Sequence, residues 1–211
     1  ALGLVPLASA QVVKSGDSYL MRVKYTKGQV IKYNSTTSIA GAAGEAGKSQ
    51  VYTVLFPIQM KIDSIIKGKT QTTVTAGPAT MSGTQIQPVT TMKMELDTRN
   101  QSANAVGASA FLAALPAAKV KVGSTWTATA PMEPMPGQPA GKLNAKYKFA
   151  GIKTVDKKSV AVITYTITGS AAGSGTVLVL TSDGTLYRNS AKVKLAGPMG
   201  AITATSVLNR K

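Results

Sequence analysis

What most constrains this chain is a period-two alternation of apolar and polar side chains that restarts between glycine-bearing turns from residue 18 to residue 195. From Ser18 to Tyr25, the residues Tyr19, Met21, Val23 and Tyr25 face one way and Arg22 and Lys24 the other. Met92, Met94 and Leu96 alternate with Lys93, Glu95 and Asp97. Tyr147 and Phe149 alternate with Lys146 and Lys148, and Val193 and Leu195 with Lys192 and Lys194. Successive strand side chains point to opposite faces, so each run buries one face and wets the other. The predicted class is all-β: an antiparallel β-sandwich or open barrel of many short strands. At 211 residues and 44% apolar content the chain has the material for a real core.

The turns give the predicted order. Thr26-Lys27-Gly28 is expected to fold Ser18 to Tyr25 back on Gln29 to Ile39 as a hairpin. Gly41 to Gly47 is a loop, and Val51 to Ile66 is a long strand region interrupted at Pro57. Lys67-Gly68-Lys69 then turns it into Thr70 to Ala76. Further strands are expected at Lys119 to Val122, Ser124 to Ala130, Leu143 to Gly151 and Ser159 to Thr168. Asp183-Gly184, between Val177 to Leu180 and Leu186 to Leu195, predicts a hairpin with a type I′ turn. One short helix is predicted, Ser109 to Leu115, with Phe111 and Leu115 on one face and Pro116 as its stop. Each side of it carries a glycine turn, a long strand and a lysine-rich turn (Gly28 with Lys67 to Lys69, then Gly123 with Lys157-Lys158). Residues 14–211 are thus read as a β-rich domain that admits two similar halves divided near 102–118.

Ala1 to Gln11 reads in two ways. It has the form of the end of a secretory signal, with Ala8-Ser9-Ala10 as a small-x-small cleavage site. It also reads, as residues 1–13, as an extended apolar arm whose Leu2, Leu4, Ala8, Ala10 and Val12 share one face, with Val5 and Leu7 on the other. Such an arm suits a neighbour's sheet, so these seven residues are the predicted subunit interface. Both readings place the protein outside the cytoplasm, secreted or in the cell envelope. No apolar run reaches the length of a membrane-spanning helix.

Twenty-four basic residues against eight acidic ones give a net charge of +16, which points to polyanions such as acidic envelope polymers. Lys146, Lys148, Lys192 and Lys194 are the predicted contacts, and the competing reading is a solvated strand face that keeps sheet edges soluble. Only Arg22, Arg99, Arg188 and Arg210 offer a guanidinium fork, so sequence-specific nucleic-acid readout is disfavoured.

The catalytic repertoire is thin. There is no cysteine and no histidine, and no catalytic, cofactor-binding or metal site is predicted. Glu95 and Asp97 are the one local carboxylate pair, expected in surface ion pairs rather than around calcium. Ser64-Ile65-Ile66-Lys67 matches Ser-x-x-Lys, but that chemistry needs a helix start and these residues lie in a strand pattern running into a turn. Asn34-Ser35-Thr36 and Asn100-Gln101-Ser102 satisfy the glycosylation sequon, a match that chance supplies.

Leu115-Pro116 followed by Lys119-Val120-Lys121-Val122-Gly123-Ser124-Thr125-Trp126 resembles the "leucine-proline, then valine-glycine-x-x-tryptophan" stretch of an uncharacterised family of bacterial secreted or lipoprotein β-rich domains. The likeness extends over most of Tyr19 to Leu195, and the chain departs from the lipoprotein pattern in having no cysteine to lipidate. It implies an exported β-rich fold and carries no activity with it. The expected function is a non-enzymatic structural subunit of an extracellular or cell-envelope assembly (fibre, tube or matrix), its partner being further copies of itself joined by strand addition. The alternative is a monomeric envelope protein that binds an amphipathic or anionic ligand.

Overall fold

The computed structural model describes residues 11–41, 50–102, 114–132, 141–169, 171–197 and 200–211. Among them the regular structure is entirely β. Strands β1 (Val12–Ser15) and β2 (Ser18–Met21) form a small ladder of their own. The remaining strands make one antiparallel sheet: β3 (Val30–Gly41), β4 (Gln50–Ile66), β5 (Lys69–Ala76), β6 (Ala79–Met81), β7 (Thr84–Gln87), β8 (Thr90–Leu96), β9 (Thr125–Met132), β10 (Gly141–Val155), β11 (Lys158–Gly169), β12 (Ala171–Leu180), β13 (Leu186–Gly197) and β14 (Gly200–Arg210). Their order is β7-β6-β4-β3-β14-β13-β12-β11-β10-β9, with β5 on β4 and β8 on β5. The all-β expectation holds. Residues on both sides of 102–118 share this sheet, because β14 pairs with β3.

β4 runs unbroken through Pro57, where the sequence suggested an interruption. It keeps β3 on one side from Gln50 to Lys61. On the other side its neighbour changes from β6, at Val54 and Leu55, to β5, from Ile58 onward. The Pro57 carbonyl accepts from the Gly77 N–H at 2.9 Å on that second side. A strand residue's N–H and C=O point the same way, so the N–H that proline lacks is missing from the junction and not from the β3 ladder.

One core joins the two ends of the sheet. Phe149 on β10 and Ile163 on β11 belong to the same buried cluster as Ile31 on β3, Ile62 on β4 and Leu96 on β8. A buried cluster that runs under the whole sheet in this way fits a sheet that closes over its own core, as a sandwich or an open barrel does. Met21, Val23 and Tyr25 are buried in that same core. The predicted hairpin of Ser18 to Tyr25 on β3 is therefore corrected. Val23 donates to the Thr98 carbonyl at 2.8 Å and Lys24 to that of Asp183 at 2.8 Å, while Tyr19 bridges to Val120. Burial of three large side chains, with loops satisfying the backbone, outweighs local pairing across Thr26 to Gly28.

The turn chemistry is redistributed in the same way. Asp156 and Lys157 both have positive φ (49° and 62°) between the paired Val155 and Lys158, the signature of a type I′ hairpin. At Asp183-Gly184 only Gly184 has positive φ. There Leu180 donates to Thr185, and Gly184 to Leu180, both at 2.9 Å, closing a four-residue loop instead of the predicted type I′ turn. The predicted strand at Lys119 to Val122 reduces to the single bridge at Val120. The predicted helix falls on residues outside the described set as far as Ala113, and Ala114 to Pro116 are not helical.

Candidate functional site

The six strands β9 to β14, continued by β3 and β4, form a wall whose register stacks residues into rows. On the inner face the deepest row is sealed: Phe149, Ile163, Val177, Asn189, Leu208 and Ser35 are all buried. The next row carries an aromatic shelf. The Trp126 and Tyr147 rings stack with centroids 5.6 Å apart, and Tyr147 lies 5.8 Å from Tyr165. Trp126 Nε1 donates to the Ala114 carbonyl at 2.8 Å, and the Tyr165 hydroxyl donates to Asn189 Oδ1 at 3.0 Å. Burial pushes the Tyr165 phenol up to about 12. Burial also raises the Tyr147 phenol. Gly175 leaves the space Tyr165 occupies, since a β-carbon there would sit 2.5 Å from the Tyr165 hydroxyl.

Above the shelf lies a row without a charged group, whose one polar side chain is the Tyr52 phenol at its far end. Ala128, Ala145, Ile167, Gly173, Val193 and Ala204 follow one another across β9 to β14, and Ile39 and Tyr52 extend them onto β3 and β4. The first seven are half-buried, and Tyr52 is 43% exposed. Small residues at four of the eight positions (Ala128, Ala145, Gly173 and Ala204) put little side-chain volume on this level of the inner face. An uncharged, partly open row over an aromatic floor is chemically suited to contact with an apolar chain or ring.

The outer face differs in kind. The matching row there reads Thr127, Lys146, Thr166, Ser174, Lys192 and Thr205, then Ser38 and Thr53. Lys148 lies in the adjacent row with Thr125, Thr164, Thr176 and Ser190, and Lys194 pairs with Thr203. The structure brings the four predicted lysines together on this wall, all exposed, and separates them from the concave face by the thickness of the sheet. Strands β9 to β14 contain nine basic residues (Lys142, Lys146, Lys148, Lys153, Lys158, Arg188, Lys192, Lys194 and Arg210) and no carboxylate.

The other candidates disperse. Of the predicted interface, only Val12 lies among the described residues. It is buried in its own chain's core and paired with Met21, while Leu2, Leu4, Val5, Leu7, Ala8 and Ala10 fall outside the described set. Glu95 accepts from Lys69 Nζ at 2.6 Å and Gln71 at 2.7 Å. Asp97 instead caps its own loop, accepting from the Arg99 and Gln101 N–H groups and pairing with the Arg99 guanidinium at 3.0 Å. No group of three or more acidic side chains able to hold a metal occurs among the described residues. Ser64 sits within β4 opposite Gln71, and Lys67 is in the positive-φ turn, so no helix aligns the pair. Asn100, of the second sequon, is buried and accepts from the Tyr25 hydroxyl at 2.8 Å. The apolar inner row escaped sequence reading because alanine and glycine carry little amphipathic signal.

No family model and no curated protein matches the chain. Among solved structures the chain is similar to a Bacteroides fragilis protein, a "putative exported protein with YmcC-like fold", at 12% identity over 90% of this chain and 98% of that one, with a TM-score of 0.41.

Proposed function

We propose that this chain is an exported, non-enzymatic binding protein that holds an apolar or amphipathic molecule against the inner row from Ala128 to Tyr52. The observation that carries this reading is the alignment of eight uncharged, incompletely buried residues across eight consecutive strands, above the Trp126, Tyr147 and Tyr165 shelf. A positively charged protein draws in an amphiphile with an anionic head, and a net charge of +16 supplies that steering. Export is supported by the signal-like form of Ala1 to Gln11 and by the resemblance around Leu115 to Trp126. The test is titration with palmitate and with dodecyl maltoside, following fluorescence of Trp126, the one tryptophan. Saturable spectral change that Ile167→Glu abolishes supports the reading. No change with either amphiphile, in protein that extracts free of bound lipid, sinks it.

A second reading is the self-assembling envelope subunit. It is favoured by β8 and β9, each of which pairs with one strand only among the described residues and so presents an open edge to strand addition. The donor is the arm, and its truncation must stop at Ala10, since Val12 is core. Assembly by electron microscopy that persists after that truncation excludes the mechanism.

A further inference from the structure

The geometry points to a second binding surface, on the outer face of β9 to β14, for an extended acidic polysaccharide. It is independent of the inner row, from which the sheet separates it. Lys146 and Lys192 lie in one row with Thr166 and Ser174 between them. Three strand spacings put the two lysines about 14 Å apart, and Lys148 and Lys194 each lie about 7 Å along the strand from their neighbour. The four ammonium groups thus border a floor of short hydroxyl side chains over which a flat polymer makes hydrogen bonds between its charge contacts.

Charge complementarity sets the sign of the partner. No carboxylate lies on these six strands. The two arginines are engaged with turn carboxylates, Arg188 with Asp156 and Arg210 with Asp183, each at 3.3 Å. None of the four lysines makes an ion pair among the described residues. A purely solvated face explains lysines anywhere on the surface, but not the exclusion of acid from six consecutive strands while Asp63 on β4 and Glu95 on β8 persist beyond them.

Side-chain chemistry sets the class. Base stacking needs exposed aromatics. The inner face holds Trp126, Tyr147 and Tyr165, and the two hydroxyl rows hold none. Bidentate phosphate recognition needs arginine, and the patch offers only lysine. Hydroxyl rows interspersed with ammonium groups match instead a polymer that bears both hydroxyl and carboxylate or sulfate groups.

The test uses the full chain on immobilised polygalacturonate and dextran sulfate, with a DNA duplex and phosphatidylglycerol vesicles in parallel. Salt-sensitive retention on either glycan is expected. It should weaken by about tenfold or more when Lys146, Lys148, Lys192 and Lys194 are all changed to Glu. An equal charge change at Lys27, Lys61, Lys67 and Lys93, all exposed and off the patch, should leave most of it. Equal loss in the two variants reduces the effect to net charge and overturns the proposal. So does tighter binding of DNA or vesicles through the same four lysines, or no retention at all. If the fourfold variant does not fold, single Lys→Ala changes at the same positions must each weaken retention more than the control positions do.

Discussion

The α-carbon of Gly184 faces the backbone of Arg22 so closely that a β-carbon added to it would overlap the Arg22 carbonyl oxygen. Gly184 also has φ of +70°, so two independent constraints fix glycine there. The β12–β13 loop is thereby seated on the segment that fills the core. Gly184→Ala should cost about 3 kcal/mol or more, read as a fall in the denaturant midpoint. Gly28→Ala, with positive φ but open space around it, should cost less, and equal losses would show that close approach contributes nothing.

Arg22 holds the other side of that segment. Its Nη1 donates to the Pro116 carbonyl at 2.9 Å and its Nη2 to that of Ala117 at 2.6 Å. A lysine has no fork to reach both. Arg22→Ala should lose about 2 kcal/mol, and Arg22→Lys should recover only part of it. Full recovery by lysine in thermal unfolding would reduce the contact to charge alone.

Phe149 is fully buried, with its ring 5.2 Å from that of Tyr19 in an edge arrangement. Phe149→Ala removes a large side chain where β10 meets the inserted segment, and should destabilise by about 4 kcal/mol. Hydrogen exchange should show lost protection at Tyr19 and Val120 together, because the two exchange backbone bonds of 2.7 and 2.9 Å.

Alkaline pH should unfold the protein through its buried phenols. Burial raises Tyr25, Tyr33 and Tyr147, and Tyr165 to about 12. In the unfolded chain the same groups ionise near about 10. A pKa raised by folding contributes stability that is complete below the unfolded value and lost as pH rises through the folded one. The denaturant midpoint should therefore fall between about pH 10 and 12, with phenolate absorbance from these groups appearing only with unfolding. Tyr165→Phe should shrink the loss over that interval. Ordinary titration of Tyr25, Tyr33, Tyr147 and Tyr165 in a folded protein would contradict their burial.

Much of the wall was legible in advance. Lys146 and Lys148 alternate with Tyr147 and Phe149, and the structure exposes the first pair and buries the second. The candidate site was legible in part: the four lysines were named, whereas the inner row was not. Ala128, Ala145, Gly173 and Ala204 become a surface only when the register of β9 to β14 sets them side by side.

By itself the sequence determined the all-β class, the in-and-out sense of most strands and the positions of turns such as Lys67-Gly68. These depend on side-chain period and backbone φ, which are properties of a few adjacent residues. Only the tertiary structure decided that β3 pairs with β14, which joins Tyr33 to Arg210, and that Met21, Val23 and Tyr25 fill the core instead of extending a hairpin. Pairing across such separations is chosen by total burial and register against the entropy of closing the intervening chain, and no local pattern encodes that balance.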